Sequence, residues 1–192
     1  MSKIDIKLCG VGGQGILSIA TVIGEAATRA GLHLKQAEVH GMSQRGGDVQ
    51  SDLRLSTEEI HSDQIPLGGA DLIVSMEPME ALRYLPWLAA DGCVVTSSKP
   101  FVNIPDYPDR DALLAELDAL PQVVRCDIEQ EALALHAPKS ANMVLLGMAA
   151  RRLKILSPDD LRAAIRSVFF RKGEKVVEDN LKAFDCGYES VQ

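Results

Sequence analysis

Apolar and polar positions along the first 40 residues change period twice. Ile4, Ile6 and Leu8 alternate with polar neighbours and lead into GVGGQG, which predicts a strand that ends in a tight glycine turn. From Ile16 to Ala30 the apolar residues recur over a wide helical face, and Gly31 stands where a helix C-cap belongs. Leu34 to Val39 is then short enough for a second strand. Strand, helix and strand make a right-handed parallel unit, with the loops after both strands at its carboxyl edge, where open α/β sheets take their ligands.

Val49 to Leu55 alternates strictly, with Gln50, Asp52 and Arg54 on the polar side, which predicts an antiparallel or edge strand with one wet face. A charged turn at Ser56 to Glu59 and a short strand near Ile60 suggest a hairpin return before Gly68-Gly69. LIVS at 72–75 and CVVT at 93–96 read as buried parallel strands, separated by a helix that Pro78 starts. Lys99 to Asp109 contains three prolines and predicts a crossing loop, the best candidate for a lid or a partner contact. A helix at 112–120 and a strand at 123–126 complete the sheet. Beyond about Glu129 the chain reads as helix, with an apolar stretch from Asn142 to Leu153, an N-cap signature at Ser157-Pro158-Asp159-Asp160 and a last amphipathic helix at 176–184. The expected fold is therefore a three-layer, Rossmann-like α/β domain with a mostly parallel, mixed sheet and a helical C-terminal third. All 192 residues fall in one domain, since no composition break divides them.

A net charge of -7 argues against nucleic acid or an anionic membrane as the main partner. No apolar run approaches the roughly 20 residues of a membrane span, and the N-terminus enters a strand directly without a charged leader, so cytoplasm is the expected compartment. Cys9, Cys93, Cys126 and Cys186 are too far apart in sequence for a local metal or iron–sulfur site and read as buried, reduced thiols.

Gly10, Gly12 and Gly15 match G-x-G-x-x-G, a spacing that lets backbone N–H groups and a helix start approach an anion. Alone it more often serves close helix–strand packing. A second glycine-bearing loop, HGMSQRGG from His40 to Gly47, lies at the same edge and shifts the balance towards a phosphate or carboxylate ligand. Arg45 could grip that anion, or order its own loop through a salt bridge. His40, a lone histidine at a strand end, is more often structural than catalytic. Glu77 before Pro78 suits a helix cap, and Asn142, inside an apolar helix, should bond a loop or ligand. Glu38, about 20 residues past the first loop, allows an NAD(P)- or FAD-binding reading. The glycine-rich continuation of the second strand and the alternating strand after it count against that reading. No catalytic triad, carboxylate dyad or metal set stands out, so no catalytic residue and no metal ligand is assigned.

GVGGQG, EVHGMSQRGGDVQSDLRL, MEPMEALR and SANMVLLG together resemble the gamma-type subunit or domain of the 2-oxoacid:ferredoxin oxidoreductases over nearly the whole chain. The H-G-M-x-Q-R-G-G form points to the indolepyruvate branch and its small beta subunit. By resemblance, the complex oxidatively decarboxylates an arylpyruvate such as indolepyruvate to an acyl-coenzyme A and passes electrons to ferredoxin. Thiamine diphosphate and iron–sulfur clusters are then expected on a large partner subunit, and this chain is inactive alone. The residues carried over as a candidate cofactor site are Gly10, Gly12, Gly13, Gln14 and Gly15 in the first loop, with His40, Gly41, Ser43, Gln44, Arg45, Gly46 and Gly47 in the second. Coenzyme A phosphates are their candidate ligand. A pure assembly module, with both loops as interface, is the other reading. An apolar C-terminal helix face and the proline loop suit an interface as well as packing on the sheet, so oligomeric state stays open, a homodimer of the isolated chain included.

Overall fold

The computed structural model describes residues 2–40 and 46–191, with His40 described in its backbone only. Six strands form one mixed sheet in the order β2-β3-β1-β4-β5-β6. They are β1 (Lys3–Val11), β2 (His33–His40), β3 (Asp48–Ser56), β4 (Ala70–Ser75), β5 (Leu88–Ser97) and β6 (Val123–Cys126). The helices are α1 (Ile16–Arg29), α2 (Pro78–Arg83), α3 (Arg110–Asp118), α4 (Ile128–Ala134), α5 (Ala141–Ala150), α6 (Pro158–Phe169) and α7 (Glu174–Ser190). Strand β3 alone runs against the others and pairs antiparallel with β1 and β2, whereas β1, β4, β5 and β6 pair in parallel.

Alternation along β1 distributes the core. Ile4, Ile6 and Leu8 join α1, α4, α5, α6 and α7 on one face, and Cys9 with Ile73 and Val94 joins α2 and α3 on the other. That is the expected three-layer α/β architecture, and the C-terminal third is helical as expected.

Two expectations change. Strand β3 is antiparallel, as one of the two alternatives had it, and is not at the edge: it lies between β2 and β1, so the strands of the first β-α-β unit point the same way but do not touch. Its expected wet face is also covered. Lys7 Nζ meets Asp52 Oδ1 at 2.7 Å, and Arg54 holds Asp5 through two bonds of 2.7 and 3.0 Å. The Ile65 amide donates to Asp52 Oδ2, and Arg54 donates to the carbonyls of Ser62 and Gln64. Residues 57–69 thus pack over this face as an irregular segment, and the strand expected near Ile60 does not form. Charged side chains of β3 take backbone groups that a ladder would otherwise use. Lys7, almost fully buried, also lies 5.0 Å from the ring centre of Tyr84 and 4.8 Å from that of Trp87, which compensates its lost hydration.

Helix α5 is apolar on all sides because it is buried on all sides, with α7 against it. The two helices meet through Gly147 and Gly187: a Cβ on Gly147 would run into the Phe184 and Tyr188 backbone, and one on Gly187 into the Val144 and Met148 backbone. The N-cap signature at Ser157 is a full capping box, with Ser157 and Asp160 bonded reciprocally.

Candidate functional site

The first glycine loop turns out of β1 with Gly13 at φ 102° and Gly15 at φ 88°, conformations that disfavour a side chain. Gln14 braces it from inside: its Oε1 accepts from the Val11 amide at 2.8 Å and its Nε2 donates to the Met76 carbonyl at 3.4 Å. A Cβ on Gly10 would come within 3.0 Å of Met76 Cβ, and one on Gly15 within 2.9 Å of Asn142 Nδ2. Gly10 and Gly15 therefore serve close packing, while Gly13 faces open space. Asn142 donates to the Gly15 carbonyl at 3.1 Å, the loop contact expected of an amide inside an apolar helix.

The two glycine loops meet. The Gly12 amide donates to the Gly47 carbonyl at 2.8 Å, and the Gly46 amide to the Gly12 carbonyl at 3.4 Å. Gly10, Gly12, Gly13, Gln14, Gly15, Gly46 and Gly47 are thus brought together at the carboxyl edge, beside the end of β2 at His40. Gly41, Ser43, Gln44 and Arg45 lie outside the described residues. Asp48, just past the second loop, accepts from Tyr84 Oη at 2.6 Å.

Helix α2 supports this edge from one side. Glu77 is fully buried and caps α2 through the Glu80 amide, as its position before Pro78 indicated. It also accepts from the Phe101 amide and the Tyr107 hydroxyl, which sequence reading did not anticipate. Glu80, with a side chain 4% exposed, binds Arg83. Burial pushes its carboxyl up to about 7 against the pull of Arg83, with Asp48 adding to the rise. The thiols are poor nucleophiles: burial, ahead of nearby charges, raises all four, Cys126 to about 12. Among the described residues no group of three His, Cys, Asp or Glu side chains could hold a metal, and no helix is long and apolar enough to cross a membrane.

On the other face a cleft of about 790 Å³ opens beside the first loop, between the starts of α1, α5 and α7. Gly13, Gly15, Ser140, Asn142, Lys139 and Lys172 line it. The N-cap residues of α1, α5 and α7, Gly15, Ser140 and Gly173, make no side-chain cap bond, so among the described residues these first turns lack that partner. Ser140 is 4% exposed at the α5 N-cap, and its hydroxyl caps nothing. The cleft's carboxylates are already engaged, Glu129 by Ser97 and Asp179 by Lys175. Helix starts with two lysines make a surface suited to an anion. Lys139, Ser140 and Lys172 were absent from the sequence-based site. Ser140 followed by a wholly apolar helix was the available signal.

The NAD(P) or FAD reading loses its geometric basis. With β3 inserted, Glu38 sits one strand further from the first loop, exposed and bonded by Gln36 at 2.6 Å.

Comparisons with known proteins agree with this architecture. The chain is 36% identical to indolepyruvate oxidoreductase subunit IorB of Methanothermobacter thermautotrophicus, over 96% of this chain and 95% of that one. It is 34% identical to the subunit of the same name from Thermococcus kodakarensis, over 100% and 98%. Among solved structures it resembles a keto/oxoacid ferredoxin oxidoreductase gamma subunit from Geobacter sulfurreducens, with TM-score 0.75 and 23% identity over 98% of this chain and 96% of that one. It also resembles a 2-oxoglutarate:ferredoxin oxidoreductase from Magnetococcus marinus with 2-oxoglutarate, coenzyme A and succinyl-CoA bound, with TM-score 0.77 and 24% identity, over 98% of this chain and 31% of that one. The model of the pyruvate ferredoxin/flavodoxin oxidoreductase family matches residues 5–190, and with the paired glycine loops on one sheet edge this places the chain in that family as a member.

Proposed function

We propose that this chain is the small, non-catalytic subunit of a cytoplasmic 2-oxoacid:ferredoxin oxidoreductase of the indolepyruvate type, folded as one domain over residues 1–192. The observation that carries the reading is the end-to-end match, at 36% and 34% identity, to subunits named for indolepyruvate oxidoreductase. The complex would oxidatively decarboxylate an arylpyruvate to the acyl-coenzyme A and reduce ferredoxin. Thiamine diphosphate and the iron–sulfur clusters would sit on a large partner subunit, where the former supplies the carbon–carbon cleavage chemistry. The proline-rich loop is the candidate contact for that subunit, since it exposes Phe101, Val102 and Ile104.

This chain's own contribution would be to hold coenzyme A by its phosphates. The open side of the first loop at Gly13, the start of α1 and Lys139 and Lys172 offer N–H dipoles and two cations, and Arg45 would add a third charge. Gly10, Gly15 and Gln14 would act from beneath, by keeping the loop in shape. A pure assembly module would need none of these charges. The test is the reconstituted complex with Lys139→Ala or Arg45→Ala. Loss of one phosphate contact should raise the Michaelis constant for coenzyme A roughly tenfold, in the range of a charge-assisted bond, with kcat kept. Unchanged constants in both variants would leave assembly as the role.

A further inference from the structure

Three of the loops at the carboxyl edge follow β1, join β2 to β3, and follow β5. The third, residues 98–109, leaves its own strand and reaches across to the other two. Its anchor is Glu77, fully buried, which receives the Phe101 amide at 3.3 Å and the Tyr107 hydroxyl. Between these two fixed points lies Asn103, whose Nδ2 donates to the carbonyl of Gly46 at 2.7 Å, across 57 positions of sequence. Gly46 has φ 79° and no side chain that could set the tilt of its peptide plane. In a trans peptide the carbonyl and the following N–H point opposite ways, so a donor that fixes the Gly46 carbonyl also aims the Gly47 N–H.

We infer that Asn103, held by the Glu77-anchored strap, is a positioning residue that sets the peptide plane between Gly46 and Gly47 and so locks the second glycine loop onto the first. The strap limits the rotamers and backbone states open to Asn103, so that little entropy opposes the bond. Gly47 in turn accepts from Gly12, which carries the constraint into the first loop. Through these contacts the ligand edge is tied to the start of α2. The consequence for a phosphate ligand rests on the coenzyme A reading above.

The test uses the full chain, alone and reconstituted with the large subunit. Asn103→Ala should speed hydrogen exchange at the Gly12 and Gly46 amides roughly fivefold, the size of one net hydrogen bond, with β4 amides unchanged. Asn103→Gln, which keeps a donor, should restore most of the protection. Tyr107→Phe, which removes one of the strap's two bonds to Glu77, should act in the same direction with a smaller effect. Asp106→Asn, at an exposed position of the same strap, should change nothing. Unchanged exchange in both Asn103→Ala and Tyr107→Phe would overturn the inference. In the complex, a matching rise in the Michaelis constant for coenzyme A at constant kcat supports it further. Faster exchange without that rise leaves Asn103 in its role and removes coenzyme A from the loops.

Discussion

Replacing Gly147 by Ala sets two effects of opposite sign against each other. Alanine improves helix propensity by about 1 kcal/mol over glycine, which alone would stabilise α5. The added Cβ, however, would overlap the backbone of Phe184 and stand 2.7 Å from the Tyr188 nitrogen, and backbone cannot rotate away as a side chain can. Overpacking in a filled core costs about 1–3 kcal/mol, and rigid backbone neighbours place this site at the upper end. The net expectation is a loss of about 2 kcal/mol, which for a domain of this size lowers the melting temperature by about 4–8 °C. Gly187→Ala meets Val144 in the same way, and once one methyl has forced the helices apart the second should cost less, so the double variant should fall short of additivity. Circular dichroism melts with urea titrations of the four proteins would measure this. A melting temperature equal to or above that of the parent in Gly147→Ala would refute the close approach of α5 and α7.

Lys7→Met should cost about 3–5 kcal/mol by urea titration, because Asp52 is left charged and buried, and Asp52→Asn in the same chain should recover a good part of it. An additive double variant would show that the two groups act independently. Glu80 gives a pH dependence. Its carboxyl rises from 4.5 unfolded to about 7 folded, so the native state binds the extra proton between those values. The contribution is therefore full below about pH 4.5 and is lost as pH rises through about 7. Glu80→Gln should reduce the fall in urea midpoint between pH 5 and pH 8, and an unaltered fall would count against the shift.

The sequence revealed β1, its glycine turn and α1 because three independent signals coincide there: alternation, a glycine cluster and a helical face closed by Gly31. The position of β3 was hidden for a physical reason. Alternating Gln50, Asp52 and Arg54 look the same whether their face meets water or meets Lys7, Asp5 and the backbone of residues 62–65, so a covered face reads as a wet one and the pattern suits an antiparallel strand at the edge or within the sheet alike. Asn103 was equally hidden, as one amide in a proline-rich stretch whose partner lies 57 positions away. The cleft draws on Gly13, Lys139 and Lys172 from three separate segments, and only the packing of α5 and α7 beside α1 assembles them. Gly147 did carry a signal, since a glycine inside an apolar helix commonly marks close approach.

The central claim, that this chain works as the small subunit of a larger oxidoreductase, is tested most directly by expressing the tagged chain in its native host and assaying what co-purifies. A large iron–sulfur partner should co-purify at fixed stoichiometry, with arylpyruvate- and coenzyme A-dependent reduction of a viologen dye in the eluate and none from this chain alone. A solitary chain with no such partner, or a chain that reduces the dye unaided, would contradict it.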